Sequence, residues 1–309
     1  MKTTALAPWF GSKRTLAPEI VKLLGKHRSY WGLCCGSLAV ELAKDPCPNE
    51  TVCDLHGDLT NLAWVLQKES TAVELYARLA RTLPSEENFL ASQRAILAAA
   101  DWDDDAPNVD RAFHYFFNSW MGRSGMAGTC RGNSQISVRW TANGGSPAVR
   151  FRSAIESIPD WHHRLAYFLI LRRNVFDVAR SIEDEPGTSI YCDPPYLFRT
   201  RKSNDNRVGG AGRYRHEFTE DDHVALAVEI PRQFSVREQL WRKSCCRECR
   251  HADRSVGHQP VAGVHGDDSE GRCRLLCRCS LSRDAELPFN LRASHSAMDV
   301  GPLNYAVAR

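Results

Sequence analysis

Asp193-Pro194-Pro195-Tyr196 stands directly after Ser189 to Cys192, a run that reads as a short strand. Its two prolines fix the backbone and contribute no N–H, so the Pro194 carbonyl is left without an internal donor and can share a crevice with the Asp193 carboxylate. Two acceptors side by side suit an exocyclic amino group, which carries two donors. Tyr196 adds a flat face against which a planar base can stack. The position fits a site as well, because open α/β sheets take their ligands beyond the carboxyl ends of the strands. A plainer reading stands beside this one, a proline-rich turn with an exposed Asp.

Further residues of this kind lie elsewhere in the chain. Pro8 to Arg14 (PWFGSKR) joins two aromatics, a glycine and two cations, and Tyr30 to Val40 (YWGLCCGSLAV) leads an apolar run into Gly36-Ser37. Asp54 ends the next apolar run, 18 residues after Gly36; from spacing alone it reads equally as the cap of a following helix. Phe113 to Asn118 (FHYFFN) precedes Gly122, Gly125 and Gly128, with Arg123 and Arg131 among them. Most of those aromatics are expected in a helix core, while the glycines would let backbone amides approach phosphates and the arginines would take phosphates more often than base edges. Arg139, Arg150, Arg152, Arg199 to Lys202 and Arg207 to Arg215 continue the basic surface, and residues 111–215 hold 16 basic against 8 acidic side chains. An anionic partner belongs there. His162-His163 reads as surface or core, and the tail cysteines 246, 249, 273, 277 and 279 are too irregularly spaced for a structural zinc site, so no metal is expected.

In their order along the chain these motifs resemble the Dam-like, DPPY-containing family of DNA adenine-N6 methyltransferases, over about residues 7–230. The family's usual Phe in the glycine loop is here Cys34, and its second Gly is Leu38. The resemblance implies S-adenosylmethionine as cofactor, held by Trp9, Phe10, Gly11, Lys13, Cys35, Gly36, Ser37, Asp54 and Asp193, with Asp54 taking the ribose hydroxyls. It implies Asp193, Pro194, Pro195 and Tyr196 as the catalytic set. Double-stranded DNA is the implied partner, contacted by Arg123, Arg131, Arg139, Arg199 and Arg201, with a paired restriction endonuclease as a second candidate partner. An adenine amino nitrogen is a poor nucleophile because its lone pair is delocalised into the ring; acceptors that take its two hydrogens direct that lone pair at the methyl group. The base must leave the duplex to be reached. Two alternatives stay open, a methyltransferase for another amino group such as cytosine-N4 and a DNA-binding remnant without turnover.

The elements that must position these residues are readable in outline. Helices are expected at Ala17 to Leu24, Leu38 to Lys44 and Leu59 to Lys68, strands at Ser29 to Cys35, Thr51 to Asp54, Ala166 to Leu171 and Ser189 to Cys192, and a helix capped by Thr219. From Trp64 to Phe117 the pattern is helical, and 121–150 is rich in Gly, Ser, Asn and Arg, with irregular loops expected. The fold class is therefore α/β, Rossmann-like, with a helical target-recognition insert. The expected division is 1–62 and 161–230 for the catalytic domain, 63–160 for the insert and 231–309 for an atypical tail. With 309 residues, 43% hydrophobic and 25% charged, the chain has the composition of a soluble globular protein. It shows no membrane-length apolar run and no signal-peptide core, so a cytoplasmic location is expected; the oligomeric state is not legible. Residues 1–230 hold 27 basic and 28 acidic side chains, and residues 231–309 hold 13 and 9 with six of the twelve cysteines. That tail lacks a sustained period, as translation in a shifted frame of a GC-rich gene would, or as an appended basic segment would. The last part of the sheet is accordingly expected to be missing, with no strand supplied by the tail.

Overall fold

The computed structural model describes residues 5–99, 106–129, 134–140, 145–183, 185–197 and 214–233, and short strands at 274–277 and 305–308. The chain opens with helix α1 (Ala17–Leu24), whose Pro18 preorganises the first turn, and passes into strand β1 (Ser29–Leu33). Strand β2 (Asn49–Cys53) lies parallel to β1, followed by α2 (Gly57–Gln67), α3 (Glu69–Arg81), α4 (Glu86–Ala98) and α5 (Val109–Met121). After the one-turn helix α6 (Met126–Thr129) come α7 (Pro147–Glu156), α8 (Ile158–Leu165), β3 (Phe168–Leu171), α9 (Val175–Ser181), β4 (Thr188–Cys192) and α10 (Glu220–Gln233). Asn108, Ser85 and Asn174 cap α5, α4 and α9 with their side chains, each satisfying an amide the helix leaves open.

Strands β3, β2, β1 and β4 lie side by side in that order and all parallel. A parallel strand is apolar on both faces because helices cover both, and β4 (TSIYC) is buried at all five positions. On one face Tyr30, Val52 and Tyr191 join Leu62 and Leu66 of α2, Phe116 of α5 and Trp161 of α8 in a single core. On the other, Leu33, Cys53, Ile190 and Cys192 meet Val178 of α9 and Leu226 and Ile230 of α10. The expected core role of the FHYFFN aromatics holds, since Tyr115, Phe116 and Phe117 are fully buried. Most of the buried charges are paired: Glu50 takes Lys44 and the two terminal Arg164 nitrogens, and Asp58 of α2 takes Arg111 of α5 and Arg215.

Three expectations need correction. Leu38 to Lys44 is a series of turns: Leu38 itself has φ +59°, a left-handed conformation with which no α-helix starts, and the carbonyls of Leu38 and Val40 close successive turns on Leu42, Ala43 and Lys44. Residues 121–150 are only partly irregular, since α6 and the start of α7 fall there. The tail also supplies strands, so the sheet does not end bare at β4. Its residues Arg274–Cys277 (β5) and Tyr305–Ala308 (β6) extend the sheet, β6 running antiparallel to β4 from Ser189↔Ala308 to Cys192↔Tyr305 and β5 antiparallel to β6. An exposed edge on a fully buried strand is costly, and RLLC and YAVA are the short, largely apolar runs that cover it. The acidic segment at 101–105 and the tail cysteines 246, 249, 273 and 279 lie outside the described residues.

Candidate active site

Asp54 and Asp193 are each the first residue past the end of a strand. The Asp193 amide donates to the Leu33 carbonyl and the Asp54 amide to the Leu171 carbonyl, each at 3.1 Å, so the ladder continues one residue beyond the strands and presents both acids at the carboxyl edge of the sheet. There they border a cleft of about 400 Å³. Every residue expected to bind cofactor or to act in catalysis lines it: Trp9, Phe10, Gly11, Lys13, Cys35, Gly36, Ser37, Asp54, Asp193, Pro194, Pro195 and Tyr196.

The glycine loop is held by Asp54, whose Oδ2 accepts from the Gly36 amide and Oδ1 from the His56 amide, both at 2.8 Å. Helix α2 is instead capped by the ring of His56, which accepts from Leu59 N, so Asp54 is free of the capping role. Its two oxygens keep lone pairs for further donors. Cys34, Gly36 and Leu38 all have positive φ, so the loop turns left-handed at alternate residues, and Leu38 takes this conformation at a position where the resembled family has glycine. A Cβ at Gly36 would meet the Trp9 indole nitrogen at 2.9 Å, and one at Gly11 would meet the Tyr196 ring at the same distance. The loops pack backbone against aromatic ring, and only glycine permits that approach.

Lys13 occupies the centre of the site. Its Nζ donates to both Asp193 oxygens at 2.7 and 2.5 Å and to the Tyr196 hydroxyl at 2.6 Å. Burial works against the lysine charge, but Asp193 and Tyr196 outweigh it and hold the Lys13 pKa above its usual value. Burial likewise pushes the Asp193 carboxyl up, with Lys13 opposing. The sequence placed Lys13 with the cofactor residues; in the structure it contacts Asp193 and Tyr196 of the DPPY motif. Among the described residues no donor reaches the Pro194 carbonyl, whereas the Pro195 carbonyl accepts from His223 Nε2 of α10 at 2.9 Å. Burial keeps His223 neutral by lowering its pKa, so this bond sets the tautomer with the proton on Nε2. Both thiols of the loop are held in the neutral form: a hydrogen bond to Cys192 together with burial raises the Cys34 pKa, and burial does so for Cys35.

Three aromatic rings enclose the mouth of the motif. Tyr214 lies 5.8 Å from Phe10 and 6.1 Å from Tyr196, edge-on to both, and Phe10 lies 6.4 Å from Tyr196. Sequence reasoning missed Tyr214, His223, His56 and Glu41; the spacing of His223 four residues after the cap Thr219, on the first turn of an amphipathic helix, was the one available signal. Of the residues expected to touch DNA, Arg123 and Arg139 are exposed, and Arg131, Arg199 and Arg201 lie outside the described residues. The glycines of that segment do not face solvent as phosphate cradles. Gly125 and Gly128 pack on the Trp9 and Pro8 backbone, Gly122 packs on Ala127, and Thr129 accepts the Phe10 amide at 2.9 Å.

The family model for the D12 class N6 adenine-specific DNA methyltransferases matches residues 9–238. The chain belongs to that class. Two DNA adenine methylases of Vibrio cholerae serotype O1, from strains O395 and N16961, are each 26% identical to it over 226 residues, spanning 73% of this chain and 75% of the relative. The D12 match takes in the N-terminal motif from Trp9 on, the glycine loop, Asp54, the Asp193 motif and α10, and ends where α10 ends to within a few residues. Among the described residues no helix is long and apolar enough to cross a membrane.

Proposed function

We propose that this D12 class chain transfers the methyl group of S-adenosylmethionine to the N6 amino group of an adenine flipped out of duplex DNA. The observation that carries the reading is the joining of Asp193, an open Pro194 carbonyl and the Tyr196 ring, in one cleft with Asp54 and the Gly36 loop. The cleft fits the cofactor: glycines bring backbone close to ring, and Asp54 keeps acceptor capacity for ribose hydroxyls. Bound S-adenosylmethionine supplies an electrophilic methyl group. The chain's own contribution is orientation. Asp193 and the Pro194 carbonyl accept the two amino hydrogens and direct the nitrogen lone pair, which in free adenine is delocalised into the ring. Lys13 keeps Asp193 ionised and in place, and one carboxylate oxygen passes from Lys13 to the amino group as the base enters. Phe10, Tyr196 and Tyr214 provide ring faces and edges for the purine and exclude water.

In this reading residues 63–160 form the target-recognition insert on a Rossmann-like domain, with Arg123 and Arg139 on its DNA side. Incubation with labelled S-adenosylmethionine and duplex DNA, followed by nucleoside analysis, tests the function. Label in N6-methyldeoxyadenosine is expected; label in N4-methyldeoxycytidine assigns another amino group, and DNA binding with neither cofactor binding nor product supports the remnant.

A further inference from the structure

Glu41 lies in the turns that follow the glycine loop, and the cleft wall includes it although its side chain is only 1% exposed. Its Oε1 accepts from the Tyr30 hydroxyl at 2.9 Å and rests over Gly32, where an added Cβ would meet that oxygen at 2.7 Å. Glycine at this place in β1 leaves the space that the carboxylate fills. The groups facing Glu41 are Tyr30 from β1, Tyr191 and Asp193 from β4 and its end, Cys35 from the glycine loop, Lys44 from the same turns, and Arg164 of α8, which donates to the Glu41 carbonyl. The cations among them, Lys44 and Arg164, are engaged with Glu50, and Lys13 nearby is engaged with Asp193. Among the described residues no cation lies within ion-pair distance of the Glu41 carboxylate.

A carboxylate buried without a cation favours its neutral form. Burial pushes the Glu41 pKa up to about 7, with Asp193 adding to the rise and the hydrogen bond from Tyr30 opposing it. Asp193, and not Asp54, is its electrostatic neighbour, so Glu41 belongs to the Lys13 end of the cleft, away from the carboxylate suited to ribose. Resting on the cofactor reading above, we propose that Glu41 receives the α-ammonium group of S-adenosylmethionine and that this cation displaces the Glu41 proton to solvent. A neutral acid and a cation become an ion pair and one released proton; no other bond changes.

Calorimetric titration of the full chain with S-adenosylmethionine, at pH 6.5 in two buffers of different ionisation enthalpy, reads the proton directly. Release of roughly three quarters of a proton per cofactor is expected from a group of pKa about 7 that ionises on binding. Affinity is expected to fall by up to about tenfold per pH unit below pH 7 and to level above it. Glu41→Gln keeps the shape and neutral charge of the protonated acid; it should bind roughly 10–100-fold more weakly at pH 7.5 and release no proton. S-adenosylhomocysteine has the ammonium without the sulfonium and should release the same fraction. Binding without release by the unaltered chain, equal release from both proteins, or release with S-adenosylmethionine alone each overturns the assignment to Glu41 and the ammonium. Absence of any cofactor binding by the unaltered chain overturns the cofactor reading itself, an outcome distinct from the other three.

Discussion

Lys13, 180 positions away in sequence, donates to both oxygens of Asp193, so the carboxylate of the proposed catalytic motif is held by a cation in the resting site. Asp193→Asn keeps the shape and one acceptor but removes the charge that orients the amino group. It is expected to lower kcat by about 10²–10³-fold with little change in cofactor affinity, as removal of one preorganised polar group does elsewhere; single-turnover kinetics with labelled cofactor measure it. The pH profile carries the same signature. Asp193 offers its negative charge to the amino group only when ionised, and burial raises its pKa, so turnover should fall on the acid side at a pH above the ordinary Asp value of about 3.9. The sign for stability is opposite: a raised native pKa means the folded state holds the proton more tightly, so this contribution is present at low pH and is lost as pH rises through the native value. A rate profile with no acid limb above that of Asp193→Asn would remove Asp193 from the orienting role. The DPPY tetrapeptide was legible because its chemistry is local. The partner of Lys13 was not, since a motif shows a cation without showing which way a long, flexible side chain points.

At the scale of the element, the left-handed loop Cys34 to Leu38 and the turn after β4 are the working parts, and each is fixed from outside. A leucine in the left-handed region costs about 1–2 kcal/mol, yet Leu38 is 2% exposed, and burying such a side chain is worth about 2–5 kcal/mol measured as its removal. Leu38→Gly should therefore destabilise the protein although it relieves the backbone, by a net of about 1–3 kcal/mol, read from denaturant unfolding. Stabilisation by that variant would show that the leucine contributes no packing. Helix α10 holds the other part through His223. His223→Ala is expected to leave the Pro195 carbonyl without its donor and to lower kcat by roughly tenfold with KM for cofactor unchanged, and His223→Gln, which can donate, should recover part of the loss. Strands and long helices were readable from period and caps. The helix expected at Leu38 to Lys44 was not there because apolar spacing carries no information about φ, and a left-handed Leu38 ends helical geometry before it begins.

On the scale of the whole molecule, the family match stops near residue 238, while the sheet continues through β6 and β5. Strand β4, buried along its length, owes the pairing of its outer edge to four residues near the end of the chain. Truncation after Gln233 uncovers that edge, and a lower Tm together with aggregation on warming is expected, followed by thermal unfolding with light scattering. An unchanged Tm would mean that the tail strands contribute nothing to the fold. The sequence reading missed them because each is a four-residue run, too short for a period of two to emerge from an Arg- and Cys-rich background.

The packing of Gly125 and Gly128 on the Pro8 and Trp9 backbone, with Thr129 holding the Phe10 amide, has a consequence for protein engineering. If residues 63–160 are the recognition module proposed above, its exchange between relatives is a natural way to reprogram a target sequence, and such grafts are usually cut at the borders of the exchanged segment. Here a donor segment replacing residues 122–129 would have to reproduce two close glycine contacts and a hydroxyl under the aromatic residues that line the cleft. A chimera needs to carry Pro8 to Phe10 along with the graft, or accept a misplaced Trp9 and an enzyme that has gained a new address and lost its fuel.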